Sequence, residues 1–287
     1  MSSSHSDSDD EPGFGLDDLL PEPESPTPVP FSFATYEPPE GFSLDLRDDR
    51  RQVITRLVGS HPLWGHYLWN TSRVLSNYLL RNPPLYQGRR VLELGAGAGL
   101  PSLVSAVSGA DAVVVTDYPD QPLVDNLRWN VDCNVPASLR DRVDVDGFVW
   151  GANVTSLLGK GKGKEVEGGK YDLIILSDLV FNHSQHPALI SSVNALLAPT
   201  SSSSGPAPCL LVFFTHHRPH LAEADMAFFP ALAESGDGWA YEQVVDEYAG
   251  AMFENDPGDA TVRGTVKGWR AWRIQEGEEK GGKKCSA

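Results

Sequence analysis

The 287-residue sequence predicts an α/β protein: a doubly wound, seven-stranded, mostly parallel sheet. Three observations carry that expectation. Short aliphatic and β-branched runs alternate with segments whose apolar residues have helical spacing, the order of strands joined by crossover helices. One run, Tyr171-Asp-Leu-Ile-Ile-Leu-Ser-Asp178, is apolar without alternation, as suits a strand covered on both faces. Another, Arg90–Leu94, empties into Gly95-Ala-Gly-Ala-Gly99, where missing Cβ atoms let the backbone turn sharply and approach a ligand.

The elements follow in order. Residues 1–40, with a Ser/Asp start and a Pro-Glu-Pro-Glu-Ser-Pro-Thr-Pro stretch, bury too little apolar surface to order themselves and read as a disordered acidic, proline-rich arm. Leu16–Leu20 within it is read as an acidic-hydrophobic patch in preference to a docking motif. The folded domain is expected over 41–275. Gln52–Val58 is a short amphipathic piece, and His61–Trp69 is a dense aromatic cluster. Asn70 can cap a helix to Arg81, with Val74, Leu75, Tyr78 and Leu79 on one face and Asn82-Pro-Pro as its stop. Strands are expected at 90–94, 112–117, 143–150, 171–178, 209–215, 241–245 and 269–274, and helices at 121–130, 187–197 and 221–233. The Gly/Lys-rich segment 159–170 reads as a mobile surface insertion, and 276–287 as a flexible tail.

Composition narrows the function. Residues 1–49 hold 13 acidic side chains against one arginine, so they carry −12 of the chain's −16 and the rest is nearly neutral. No basic stripe appears, which disfavours nucleic acid as a direct partner, and a basic protein suits the charge better. Cys133, Cys209 and Cys285 are far apart and odd in number, which fits a reducing compartment with neither disulfides nor a zinc site. With no long apolar stretch and an acidic start, the sequence reads as a soluble cytoplasmic protein with no membrane role. No heptad or surface repeat suggests assembly, so a monomer is expected.

The glycine loop reads as a nucleotide-cofactor loop whose following helix would present free N–H groups. A dinucleotide fingerprint counted from Gly95 needs Gly or Ala at position 100, where Leu100 stands, and a count from Gly97 meets Ser102. Glu93 lies two positions before the first glycine, and Ala112-Val-Val-Val-Thr-Asp117 ends in a carboxylate 22 positions after it. That spacing fits one helix and one return strand, and Asp117 can then accept both ribose hydroxyls of an adenosyl group.

These motifs resemble the seven-stranded class I S-adenosylmethionine-dependent methyltransferases, a Rossmann-like fold, and in particular the branch that methylates lysines of non-histone proteins. Longer segments, among them Pro62–Trp69, Leu92–Ser102, Thr116–Asp120, Ser177–His186, Phe213–His220 and Met252–Asp259, resemble the fungal protein N-terminal and lysine methyltransferases of translation elongation factor 1-alpha, once described as nicotinamide N-methyltransferase-like. The similarity spans about 30–274. It implies S-adenosyl-L-methionine as cofactor, held by Trp69, Gly95, Ala96, Gly97, Asp117, Trp150 and Ser177, no metal, and elongation factor 1-alpha as protein substrate. Each tryptophan taken alone would be read as core.

Methyl transfer from a sulfonium is an in-line displacement, so the enzyme mainly aligns a neutral amine. Asp178, Phe181, Asn182 and His183 stand just beyond the fourth strand, and His216, with His217 and His220, beyond the fifth, both at the carboxyl ends where a ligand binds. Asp178 is expected to orient the amine, and a histidine to contact the acceptor or relay a proton. The lysine-specific branch often has tyrosine at the place of Phe181. Alternatives are methylation of a small nicotinamide-like amine, or a non-catalytic S-adenosylmethionine-binding protein. An RNA methyltransferase is disfavoured: Asn82-Pro-Pro-Leu85 precedes the cofactor loop and reads as a helix stop.

Overall fold

The structure, a computed structural model, describes residues 31–59, 66–160, 169–200, 205–236, 238–253 and 255–274. Most of the expected arm, residues 61–65 of the aromatic cluster, most of the 159–170 insertion and the expected tail lie outside the described residues.

Two strands, β1 (Ser32–Tyr36) and β2 (Val53–Leu57), form an antiparallel pair. This corrects the arm's boundary, since residues 32–36 are a strand. The amphipathic piece at 52–58 is its partner, with Val53, Thr55 and Leu57 buried in alternation. Tyr36 is buried, and its hydroxyl donates to Asn77 Oδ1 at 2.8 Å.

Next come α1 (Asn70–Arg81), β3 (Arg90–Leu94), α2 (Leu100–Val107), β4 (Ala112–Asp117), α3 (Gln121–Asn134), β5 (Val143–Gly147), β6 (Leu173–Ser177), α4 (His186–Leu196) and β7 (Cys209–Thr215). Then follow α5 (Ala222–Met226), α6 (Phe228–Glu234), β8 (Trp239–Tyr248), α7 (Ala260–Gly264) and β9 (Thr265–Arg273). The seven-stranded sheet has the order β5-β4-β3-β6-β7-β9-β8. Strands β3 to β7 pair in parallel, while β9 is antiparallel to both its neighbours. The expected doubly wound sheet is therefore present.

Period-two alternation sorts the core into two layers. Val91, Val113, Ile175 and Phe213 pack with residues of α1, α2 and α3 and with the hairpin. Leu92, Val114, Ile174 and Phe214 pack on the other face with residues of α4 and α6. Strands buried this way are mostly apolar on both faces, which is why β6 and β7 read as near-continuous apolar runs, while β3 carries the buried Glu93 among its aliphatic residues.

Several boundaries differ from expectation for local reasons. Asn70 is the first residue of α1, with Trp69 at the cap, and its Nδ2 donates to the carbonyls of Ala249 and Gly250 at 3.3 and 3.0 Å. The expected 221–233 helix is two, α5 and α6, because the Pro230 ring clashes with the carbonyl four residues back. β5 stops at Gly147, and Val149 and Ala152 close a turn that carries Trp150. β8 and β9 are longer than expected, with a bulge between Gln243 and Val245.

The hairpin is tied down by asparagines. Asn134 Oδ1 accepts the Ile54 N–H at 2.9 Å while its Nδ2 donates to the Ile54 carbonyl at 2.7 Å. One helical step away, Asn130 does the same for Arg56 at 2.7 and 3.0 Å, and Asn126 Nδ2 adds a bond to the Arg56 carbonyl at 2.8 Å. Four helical residues rise about 6 Å and two strand residues about 6.7 Å, so amides spaced i, i+4 can pair with alternate strand residues. α3 thus supplies from side chains what a third strand would supply from backbone.

Candidate active site

Beyond β3 the chain continues to β4 and β5 on one side, then returns to β6 and β7 on the other. The carboxyl ends of β3 and β6 flank that switch point, where an open α/β sheet leaves a crevice. A cavity of about 830 Å³ opens there, lined by the glycine loop after β3, the end of β4, the turn after β5, the turn after β6 and the start of α1.

The loop is held open by its own bonding. Gly95, Gly97 and Gly99 have φ of 60°, 56° and 73°, in the left-handed region that side chains disfavour. A Cβ on Gly95 would meet Leu179 Cδ2 at 2.8 Å and Trp150 Cζ2 at 2.9 Å, whereas one on Gly97 would meet nothing within 4 Å. Gly97 therefore offers bare backbone to the cavity. The Gly97 N–H donates to Asp117 Oδ2, and the Tyr118 N–H to Asp117 Oδ1, both at 2.7 Å. Behind the loop, Asn130 Nδ2 also donates to the Ala98 carbonyl at 3.1 Å.

Glu93 lies beneath. Its Oε2 accepts both the Ser102 N–H at 3.0 Å and the Ser102 hydroxyl at 2.5 Å, and among the described residues Oε1 has no partner. Complete burial pushes its carboxyl up to about 8 despite the Ser102 donors, and the Asp117 charge adds to the rise. Glu93 thus takes a first-turn N–H of α2, Pro101 has none, and the Leu103 N–H goes to the Gly99 carbonyl. The helix start is less free than the sequence suggests.

The opposite wall is built by Asp178. It has φ 59°, its N–H donates to the Phe213 carbonyl at 2.7 Å, and its buried carboxylate accepts from Thr71 Oγ1 at 3.2 Å. His217 Nε2 lies 3.0 Å from both of its oxygens. Burial alone would lower the basicity of His217, but the Asp178 charge and hydrogen bond, with Asp225 and Asp256 behind, raise it overall.

All seven residues expected to hold a cofactor line this one cavity, and so do Asp178, Phe181 and Asn182. His183 and His216 are placed elsewhere. Both bond to the buried carboxylate of Asp225, His183 Nε2 to Oδ1 at 2.7 Å and His216 Nδ1 to Oδ2 at 2.8 Å, and neither is among the lining residues. The sequence reading missed Tyr67, Tyr118 and Arg218 on the cavity wall. Tyr118 and Arg218 directly follow Asp117 and His217, so adjacency to residues already singled out was the available signal.

The family profile described as lysine methyltransferase matches residues 59–235, which contain the loop, Asp117, Trp150 and Asp178. The chain belongs to the lysine methyltransferase family. Among its relatives, protein N-terminal and lysine N-methyltransferase EFM7 of Cryptococcus neoformans is 60% identical over 99% of this chain and 96% of its own. The protein of the same description from Schizosaccharomyces pombe is 42% identical over 83% of this chain and 94% of its own. Among solved structures, the Thermus thermophilus 16S rRNA N2 G1207 methyltransferase shares the fold with a TM-score of 0.52 and 16% identity, covering 87% of this chain and 52% of that one.

This lysine methyltransferase family member is an S-adenosylmethionine-dependent enzyme, and its cavity fits that cofactor. Bare backbone at Gly97 admits a ligand where a Cβ would stand. The Asp117 carboxylate, which accepts the Gly97 and Tyr118 N–H groups, lies on the cavity wall as an acceptor suited to ribose hydroxyls, while the indoles of Trp69 and Trp150 suit a sulfonium.

Proposed function

We propose that this enzyme methylates the N-terminal α-amine, a lysine or both on translation elongation factor 1-alpha, acting in the cytoplasm as a monomer. The observation that carries the reading is the Asp178 carboxylate on the wall of the cavity that the glycine loop and Asp117 also line. Two classes of amine are named for the relatives, and the segments quoted above resemble enzymes acting on this factor. The acidic first 49 residues suit a basic protein substrate. Among the described residues no helix is long and apolar enough to cross a membrane.

S-adenosylmethionine, when bound, supplies the methyl group as a sulfonium substituent. The chain's own task is to bring a neutral amine into line with it. A lysine, with an ordinary pKa of about 10.4, must lose a proton, whereas an α-amine at about 7.7–8.0 is already substantially neutral. Asp178 attracts and orients the incoming ammonium, and the aromatic surroundings from Trp69, Tyr67 and Phe181 reduce its hydration, which favours proton loss. Phe181 has no phenol, so it serves as an apolar wall and not as a base.

The test is mass spectrometry of elongation factor 1-alpha taken from cells lacking this protein and incubated with purified enzyme and S-adenosylmethionine. Methyl additions at the N-terminus, at a lysine or at both, lost with Asp117→Ala, are expected. Cofactor binding with transfer to nicotinamide alone, or with no transfer, would overturn the reading.

A further inference from the structure

We propose that His217 is a positioning residue for the acceptor amine: its imidazole holds the Asp178 carboxylate on the cavity wall, and its protonation state decides whether that carboxylate meets the amine as a net negative charge. This rests on the reading that the acceptor is an amine. It adds a residue to the acceptor side that does not itself line the cavity.

The geometry is specific. His217 Nε2 is equidistant, 3.0 Å, from the two oxygens of Asp178, and Thr215 Oγ1 sits beside the ring, 2.9 Å from Nε2 and 3.1 Å from Nδ1. Its ring meets Trp69 edge-on with centroids 4.9 Å apart and Phe181 at 6.5 Å. Asp178, Trp69 and Phe181 all line the cavity, so one imidazole braces three wall residues from behind. Thr71 on α1 fixes Asp178 Oδ2 from the other side. The Asp178 backbone is itself held, at φ 59° and with its N–H bonded to the Phe213 carbonyl.

The charge argument follows from burial. The side chain of Asp178 is 6% exposed, while that of His217 is 21% exposed and can exchange protons with water. With neutral His217 the pair carries −1 toward an ammonium, and with imidazolium it carries none. The other charged groups facing His217 are Asp225 on α5 and Asp256 ahead of α7, with Arg218 next in the chain. Asp225 is already engaged by His183 and His216, so Asp178 is the carboxylate with which His217 shares its proton. An attractive unit charge at about 4 Å is worth at least about 1 kcal/mol even in water, a factor of about five in binding. The effect therefore belongs in the acceptor KM, which falls as His217 loses its proton.

Two measurements test this. NMR titration of the His217 ring, in the wild type and in Asp178→Asn, should give a midpoint above the ordinary value of about 6.5 that drops when the carboxylate is replaced. An ordinary midpoint in both proteins would overturn the proposal, whatever protein is methylated. The second is the acceptor KM from about pH 6 to about pH 9 for wild type and His217→Gln, which keeps an N–H donor without titrating. Taking the ratio of the two removes the acceptor's own ionisation, and it should change about fivefold across the His217 midpoint. A constant ratio would overturn the proposal. Transfer to elongation factor 1-alpha by neither enzyme, with cofactor binding intact, would instead refute the substrate reading and leave the ring titration to decide on His217.

Discussion

Asp117 fixes Gly97: the carboxylate at the end of β4 accepts the Gly97 N–H at 2.7 Å, so the group expected to bind the cofactor also holds the loop that must admit it. Asp117→Ala removes the acceptor for two backbone N–H groups and should lower unfolding free energy by about 1–3 kcal/mol. Calorimetric titration should show cofactor affinity falling by more than this loosening alone produces, about 100-fold, because charge-assisted bonds to two hydroxyls disappear together.

Gly95 and Gly97 share a backbone region but differ in surroundings, so their alanine variants should part company. Gly95→Ala combines left-handed strain with collision against Leu179 and Trp150, and denaturant unfolding should show a loss of about 2–4 kcal/mol. Gly97→Ala has room for its methyl group and should lose only about 1–2 kcal/mol of stability from strain. Gly97 lines the cavity, so cofactor binding should suffer out of proportion to stability.

The asparagines of α3 separate a structural effect from a functional one. Asn134→Ala strands the Ile54 N–H and carbonyl, at a cost of about 1–3 kcal/mol, with faster hydrogen exchange at Ile54 and unchanged cofactor affinity. Asn130→Ala should cost about as much and also release the Ala98 carbonyl, weakening cofactor binding by about threefold to tenfold.

Glu93 predicts a pH dependence of stability with a definite sign. Its folded carboxyl, at about 8, stands above an ordinary value of 4.5, so the folded protein holds a proton that the unfolded chain releases between these values. This contribution is complete below the unfolded value and is lost as pH rises through the folded one. Urea unfolding should show wild-type stability falling, relative to Glu93→Gln, from about pH 5 to about pH 9. A difference independent of pH would mean that Glu93 is ionised throughout.

The sheet core and the glycine loop were legible because their signals are local. A strand covered on both faces is mostly apolar, as β6 is, and Gly95 to Gly99 with Asp117 is a spacing fixed by one helix and one return strand. The hairpin was not legible. Phe33 is 61% exposed, and β2 owes its place to Asn130 and Asn134, more than 70 positions away. The histidines failed for a similar reason. Nothing local tells that His216 turns to Asp225 on one side of the strand end while His217 turns to Asp178 on the other. Their partners are decided by which buried carboxylate each alternate position reaches.

The order β7-β9-β8 has a consequence for how the chain is made. Among the described strands, the last in sequence is an inner one, flanked on both edges by strands synthesised earlier. Until residues 265–273 emerge, β7 offers an unpaired edge containing Phe213 and Phe214, and β8 has no sheet to join. Nascent chains of this enzyme therefore pass through a stage with an open, aromatic sheet edge, the kind of surface that chaperones shield and that aggregates when they do not.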